Sequence, residues 1–257
     1  MTLNEAITIM VDEIGAVLDE APTVYLFGSV ALGDFRLGWS DIDILVLTKK
    51  EMTEQQAERL LMLRQVLVER YEGNTLFRSF EGAILLAEVF LQKKQGCVVY
   101  WGTTGQRITD SYKLDSFSLA EILDCGILLC GEDLRGEMRY PLYEQMREEI
   151  IRHVQSARVH GDSVGWLLDI ARGIYTIRTG KVISKTAAGE WALQEGLCPD
   201  EEALKKAVAI RKEPLKFEKI EWSVDNATIQ RFVDVLEREN FKVGTVHAFA
   251  TNAFTPP

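Results

Sequence analysis

The sequence is poor in the residues that build metal and disulfide frameworks: 4 cysteines and 3 histidines among 257 residues. Cys97, Cys125, Cys130 and Cys198 form no Cys-x-x-Cys pair, and His153, His160 and His247 share no ligand spacing with them or with one another. This argues against a disulfide scaffold and a structural zinc site, and fits reduced thiols in a cytoplasm. Long apolar runs are missing too; none approaches the roughly 18 residues that span a bilayer. The start, Met1-Thr2-Leu3-Asn4-Glu5-Ala6, carries neither the basic nor the apolar region of a secretion signal. A soluble, cytoplasmic protein without a membrane partner is expected. Positive charge is in deficit, with 29 basic against 39 acidic side chains and a net charge of −10. Such a surface repels nucleic-acid backbones and favours cationic partners, so nucleic acid is not an expected ligand.

What is present reads as an ordinary globular chain, 47% hydrophobic and 26% charged, which excludes a disordered or collagen-like one. Ile7, Met10, Val11, Ile14, Val17 and Leu18 recur at helical spacing over about 3–20. Thr23 to Phe27 and Asp41 to Leu47 read as buried strands, and Thr53 caps a helix that runs to about Glu69. Ala83 to Leu91 reads as a strand with Glu88 embedded in it, Val98 to Trp101 as a shorter strand, and Phe117 to Leu129 as a helix. After Gly131 the pattern turns helical, with segments near 142–158, 164–178, 184–194, 200–211 and 225–239, and an irregular tail beyond Phe241. The fold class expected is α+β: a domain over 1–135 with a small mixed sheet and flanking helices, then an all-helical domain over 136–257.

The chemistry concentrates in Leu26-Phe27-Gly28-Ser29, an eleven-residue gap, then Asp41-Ile42-Asp43. Strand residues two apart share a face, so Asp41 and Asp43 project together while Ile42 and Ile44 face the core. Two carboxylates that close repel unless a cation lies between them. Mg²⁺ takes such oxygen ligands and shares them with substrate phosphates. Gly28 after a strand lets backbone N–H groups approach phosphate oxygens, and Ser29 adds a hydroxyl donor. Glu88, among Ala87, Val89, Phe90 and Leu91, is a costly acid to place in a strand. If that strand neighbours the Asp41–Asp43 strand, three acids meet at one point.

This pattern resembles the nucleotidyltransferase signature of the DNA polymerase β-like superfamily. Tyr25 to Ser29 and Ser40 to Leu45 are similar to the corresponding segments of the aminoglycoside adenylyltransferases that modify streptomycin and spectinomycin. Leu167 to Tyr175, Thr179-Gly180-Lys181, Ser184-Lys185 and Ala187 to Ala192 resemble that family's helical domain. The resemblance implies a cytoplasmic enzyme that moves AMP from ATP to an aminoglycoside hydroxyl with Mg²⁺ and releases pyrophosphate. It further implies Asp41 and Asp43 as metal ligands, and Glu88 as a metal-facing catalytic base. Gly28, Ser29 and Ser40 would meet the nucleotide, with Arg172 and Lys185 on its phosphates, and Asp162 and Trp101 would meet the drug. Arg158 stands where the family has an acid, and no tyrosine follows Tyr175 near Arg211. Another small-molecule or protein acceptor, or a homologue that only binds nucleotide, are the alternatives. A monomer is the expected state.

Overall fold

The computed structural model describes residues 1–102, 105–160, 163–218 and 223–252. The chain divides into two compact units, one from Met1 to Tyr140 and one beginning at Pro141.

The first unit runs α1 (Leu3–Leu18), β1 (Thr23–Phe27), α2 (Gly28–Ala31), β2 (Ile42–Thr48), α3 (Glu54–Arg70), β3 (Phe80–Leu86), α4 (Ala87–Gln92), β4 (Val98–Gly102), β5 (Gly105–Thr109), α5 (Ser116–Cys125) and β6 (Ile127–Cys130). Both long helices begin on a capping box. Thr2 accepts from the Glu5 N–H while Glu5 accepts from that of Thr2, and Thr53 and Gln56 repeat the exchange. The strands form one mixed sheet in the order β5-β4-β3-β2-β1-β6, with β2 and β3 parallel and the other neighbours antiparallel. Alternation along the central strands feeds two cores. Val24, Leu26, Ile42, Ile44 and Val46 join Met10, Ile14, Leu60 and Leu67 of α1 and α3, whereas Tyr25, Phe27, Leu45, Leu47, Ala83 and Leu85 join Ile122 of α5.

The second unit contains α6 (Tyr143–His160), α7 (Gly165–Thr179), α8 (Lys185–Gln194), α9 (Glu201–Lys212), α10 (Pro214–Phe217) and α11 (Asn226–Asn252). Helix α7 packs against α6, α8, α9 and α11, and it buries Leu167, Leu168, Ile170, Ala171, Ile174 and Ile177. Arg158 reaches from α6 to Asp234 (2.7 Å) and Glu237 (3.0 Å) of α11, so this departure from the family pattern braces two helices.

Several elements differ from the sequence reading, which has no counterpart for α2, β5 or α10. The apolar run 83–91 is a strand only to Leu86 and then the short helix α4, which stops at Lys93 in the left-handed region. Short apolar runs do not distinguish strand from helix by period alone. Helix α5 ends at Cys125, because Gly126 turns the chain out into edge strand β6 instead of continuing to Leu129. The segment beyond Phe241 is helical to Asn252. Among the described residues no helix is long and apolar enough to cross a membrane. The four cysteines are free thiols, and burial pushes the pKa of each above its ordinary value.

Candidate active site

The end of β1 and the start of β2 meet because the strands are antiparallel: Phe27 pairs with Asp43. Gly28, just beyond, has φ +63° and lies so close to the acid that a Cβ built on it would fall 2.0 Å from Asp43 Oδ2. Only glycine satisfies both the positive φ and that approach. The returning loop is tied at two points. Ser29 Oγ donates to the Asp41 carbonyl (3.3 Å), and buried Ser40 Oγ accepts from the Arg36 N–H (2.9 Å). Ser40 therefore closes the loop that delivers Asp41.

The third acid is Glu81. Parallel pairing sets Asp43 opposite Glu81, each the second residue of its strand, on the face that continues as Leu45 and Leu47, and Ala83 and Leu85. Burial pushes the Tyr100 and Tyr112 phenols up, and the charges of both Asp43 and Glu81 add to the rise. Burial lowers the Arg64 guanidinium, against the opposing charges of Glu81 and Asp41. Asp41, Asp43 and Glu81 thus share one electrostatic neighbourhood at one end of the sheet.

Glu88 is not part of it. It lies beyond Leu86, whose partner is Thr48, at the opposite end of the β2–β3 pair. Five rows separate the register of Asp43 from that of Leu86, about 17 Å at 3.3 Å per residue. The Glu88 side chain is 59% exposed and pairs with Lys94 at 3.1 Å. The embedded strand acid of the sequence reading is a solvent-facing residue on α4, which removes it from both the base and the metal roles. Trp101 is corrected as well. It is buried on the opposite face of the sheet, in the α1–α3 core, with its indole N–H donating to the Leu60 carbonyl (3.0 Å). Its neighbour Tyr100 faces the acids instead, donating to Glu81 Oε1 at 3.1 Å. Asp162 lies outside the described residues.

Asp41 and Asp43 offer hard oxygen donors. Among the described residues, no group of three or more His, Cys, Asp or Glu side chains forms an all-protein metal cage. Two carboxylates completed by substrate phosphates are the donor set Mg²⁺ accepts, so the residues present fit that ion.

In the helical unit, Lys185 and Arg172 converge on Asp169. Lys185 Nζ lies 2.9 Å and Arg172 Nη2 3.5 Å from Asp169 Oδ1, with His153 Nε2 3.8 Å from Oδ2. Ser184 caps α8 by accepting from the Ala187 N–H, placing Lys185 at the first helical position. Sequence reasoning passed over Asp169 and assigned His153 no role, although Asp169 and Arg172 stand three apart on one helix face. Burial would raise the Asp169 carboxyl, but Lys185, His153 and Arg172 outweigh it and hold the group well below the usual carboxylate range. A lowered carboxylate pKa contributes stability that is complete above about pH 4 and fades as pH falls through the folded value. Asp169→Asn is therefore expected to cost about 3 kcal/mol at pH 7, and a clearly smaller share of that cost is expected at pH 2. Urea unfolding at the two pH values checks it; an equal deficit at both would refute the assignment.

Two family models match the chain: the nucleotidyltransferase domain over residues 17–83, and the aminoglycoside adenylyltransferase C-terminal domain over 142–239. The chain is thus similar to nucleotidyltransferases in its first unit and to the aminoglycoside adenylyltransferases in its second. Among its relatives, a spectinomycin 9-adenylyltransferase of Staphylococcus aureus is 29% identical over 188 residues, covering 66% of this chain and 70% of the relative. The crystal structure of spectinomycin adenyltransferase AAD(9) from Enterococcus faecialis with ATP and spectinomycin superposes with a TM-score of 0.66. It is 21% identical and covers 90% of this chain and 98% of that one. That likeness establishes the shared adenylyltransferase fold. The nucleotidyltransferase match spans Gly28, Ser29, Asp41, Asp43 and Glu81, and ends before Glu88.

Proposed function

We propose that the protein transfers AMP from ATP to a hydroxyl of an aminoglycoside of the spectinomycin or streptomycin type, in a Mg²⁺-dependent reaction that releases pyrophosphate. The relatives support AMP transfer to an aminoglycoside in general. The observation that carries the mechanism is the register of β2 and β3, which pairs Asp43 with Glu81 beside the Gly28 turn.

In this reading Asp41 and Asp43 hold the ion, which when bound neutralises charge on the triphosphate and the departing pyrophosphate. The Gly28-Ser29 turn meets the phosphates through its backbone N–H groups and the Ser29 hydroxyl. Glu81 accepts the proton of the acceptor hydroxyl as that oxygen bonds to the α-phosphorus and the bond to pyrophosphate breaks. In the helical unit, Arg172 and Lys185 gather positive charge on Asp169, the kind of charge that phosphate groups take. The net charge of −10 favours a polycationic acceptor.

The test is pyrophosphate release from ATP with Mg²⁺ and single aminoglycosides. Release is expected with spectinomycin or streptomycin, and its loss on chelation is expected with it. Release with neither drug would refute the acceptor class. Release unaffected by EDTA would refute the metal role.

A further inference from the structure

We infer that Tyr100 is the positioning residue of the Glu81 carboxylate, an assignment that rests on the reading of Glu81 as the base. In the β3–β4 register Tyr100 stands opposite Ala83, one position along the same face from Glu81. Two small neighbours let the ring lie flat over the sheet toward that acid. Ala83 offers only a methyl group, and Gly102 offers nothing. A Cβ built on Gly102 would lie 2.5 Å from Tyr100 Cε1 and 2.9 Å from its hydroxyl oxygen. The phenol reaches Glu81 and donates to Oε1 at 3.1 Å. From β5, Arg107, the register partner of Tyr100, places its guanidinium carbon 4.4 Å from the ring centroid, and the Tyr112 ring lies at 6.1 Å. A cation on the ring and a second ring beside it restrict the phenol.

A glutamate has three side-chain torsions, and as a general base it works only when one oxygen faces the reacting hydroxyl. A hydroxyl donor of fixed position selects one carboxylate orientation before substrate arrives, the kind of support a catalytic group takes from its neighbours. Tyr100 itself touches no reacting atom in this scheme.

Tyr100→Phe keeps the ring and removes the donor. Its kcat is expected to fall about tenfold with the KM for ATP changed less than about twofold. Gly102→Ala keeps the hydroxyl but displaces the ring, and the same loss is expected. In a Glu81→Gln background Tyr100→Phe is expected to change nothing further, because two groups that act as a unit are not additive. Thermal unfolding of each variant confirms that folded protein is compared. Wild-type kcat in Tyr100→Phe overturns the inference, as does an equal fall in the presence and absence of Glu81. If Glu81→Gln alone keeps the wild-type rate, the base assignment fails instead, a result separate from any property of Tyr100.

Discussion

Glu81→Gln is expected to lower transfer by about 10²–10⁴-fold, the usual contribution of a general base, and Glu88→Gln to leave it at the parental rate. The two acids stand seven residues apart and either could be named from the sequence. The sheet separates them. Glu81 is the register partner of Asp43, with Tyr100 donating to it, whereas Glu88 projects from α4 and pairs with Lys94 in solvent. Replacing a carboxylate by its isosteric amide removes the proton acceptor and keeps the size, so ATP affinity is expected to change little. Single-turnover pyrophosphate release together with calorimetric ATP binding makes the comparison. The reverse ranking, a slow Glu88 variant and an active Glu81 variant, would overturn the site.

Gly28→Ala is the second large effect. Two separate penalties fall on this residue. A side chain at φ +63° costs about 1–2 kcal/mol in the left-handed region. The added Cβ would also lie 2.0 Å from Asp43 Oδ2 and 2.8 Å from its Cγ, so the carboxylate must swing away. A displacement of about 1 Å in a group that positions reactants is worth about 10² in rate. Gly33→Ala separates the penalties: Gly33 has φ +67° but nothing within 4 Å of its virtual Cβ. Both variants are expected to lose stability in thermal unfolding, Gly28→Ala at least as much as Gly33→Ala. Only Gly28→Ala is expected to lose about a hundredfold in kcat, and equal activity of the pair would show that Asp43 does not depend on the glycine.

Much of this site is legible along the chain because its parts are local. The Gly28-Ser29 turn and the Asp41-Ile42-Asp43 alternation are short-range features, and a period of two already puts the acids opposite the core-facing isoleucines. The helices are equally readable where caps and apolar stripes coincide, as at Thr2 with Glu5 and Thr53 with Gln56. The strand carrying the third acid is different. Central strands of this sheet are buried on both faces, so they read as continuous apolar runs whose ends and register leave no periodic mark. The run 83–91, read as one strand, holds the end of β3, the six-residue helix α4 and the boundary between them, and Glu81 lies just before it. Bringing Asp43 and Glu81 together requires knowing that β2 and β3 pair in parallel from aligned starts, which is a property of the sheet.

By itself the sequence determined the α+β class, the acidic balance that favours a cationic partner, and the strand–turn–strand unit that brings Gly28 to Asp43. These follow from composition and from contacts between segments fewer than twenty residues apart. Only the tertiary structure decided which glutamate joins them, that Tyr100 and not Trp101 faces the acids, and that Lys185 of α8 meets Asp169 of α7. Each of those depends on register or on side chains from separate elements meeting. Chain period carries no record of either, because a strand's neighbour is chosen by the packing of the whole sheet.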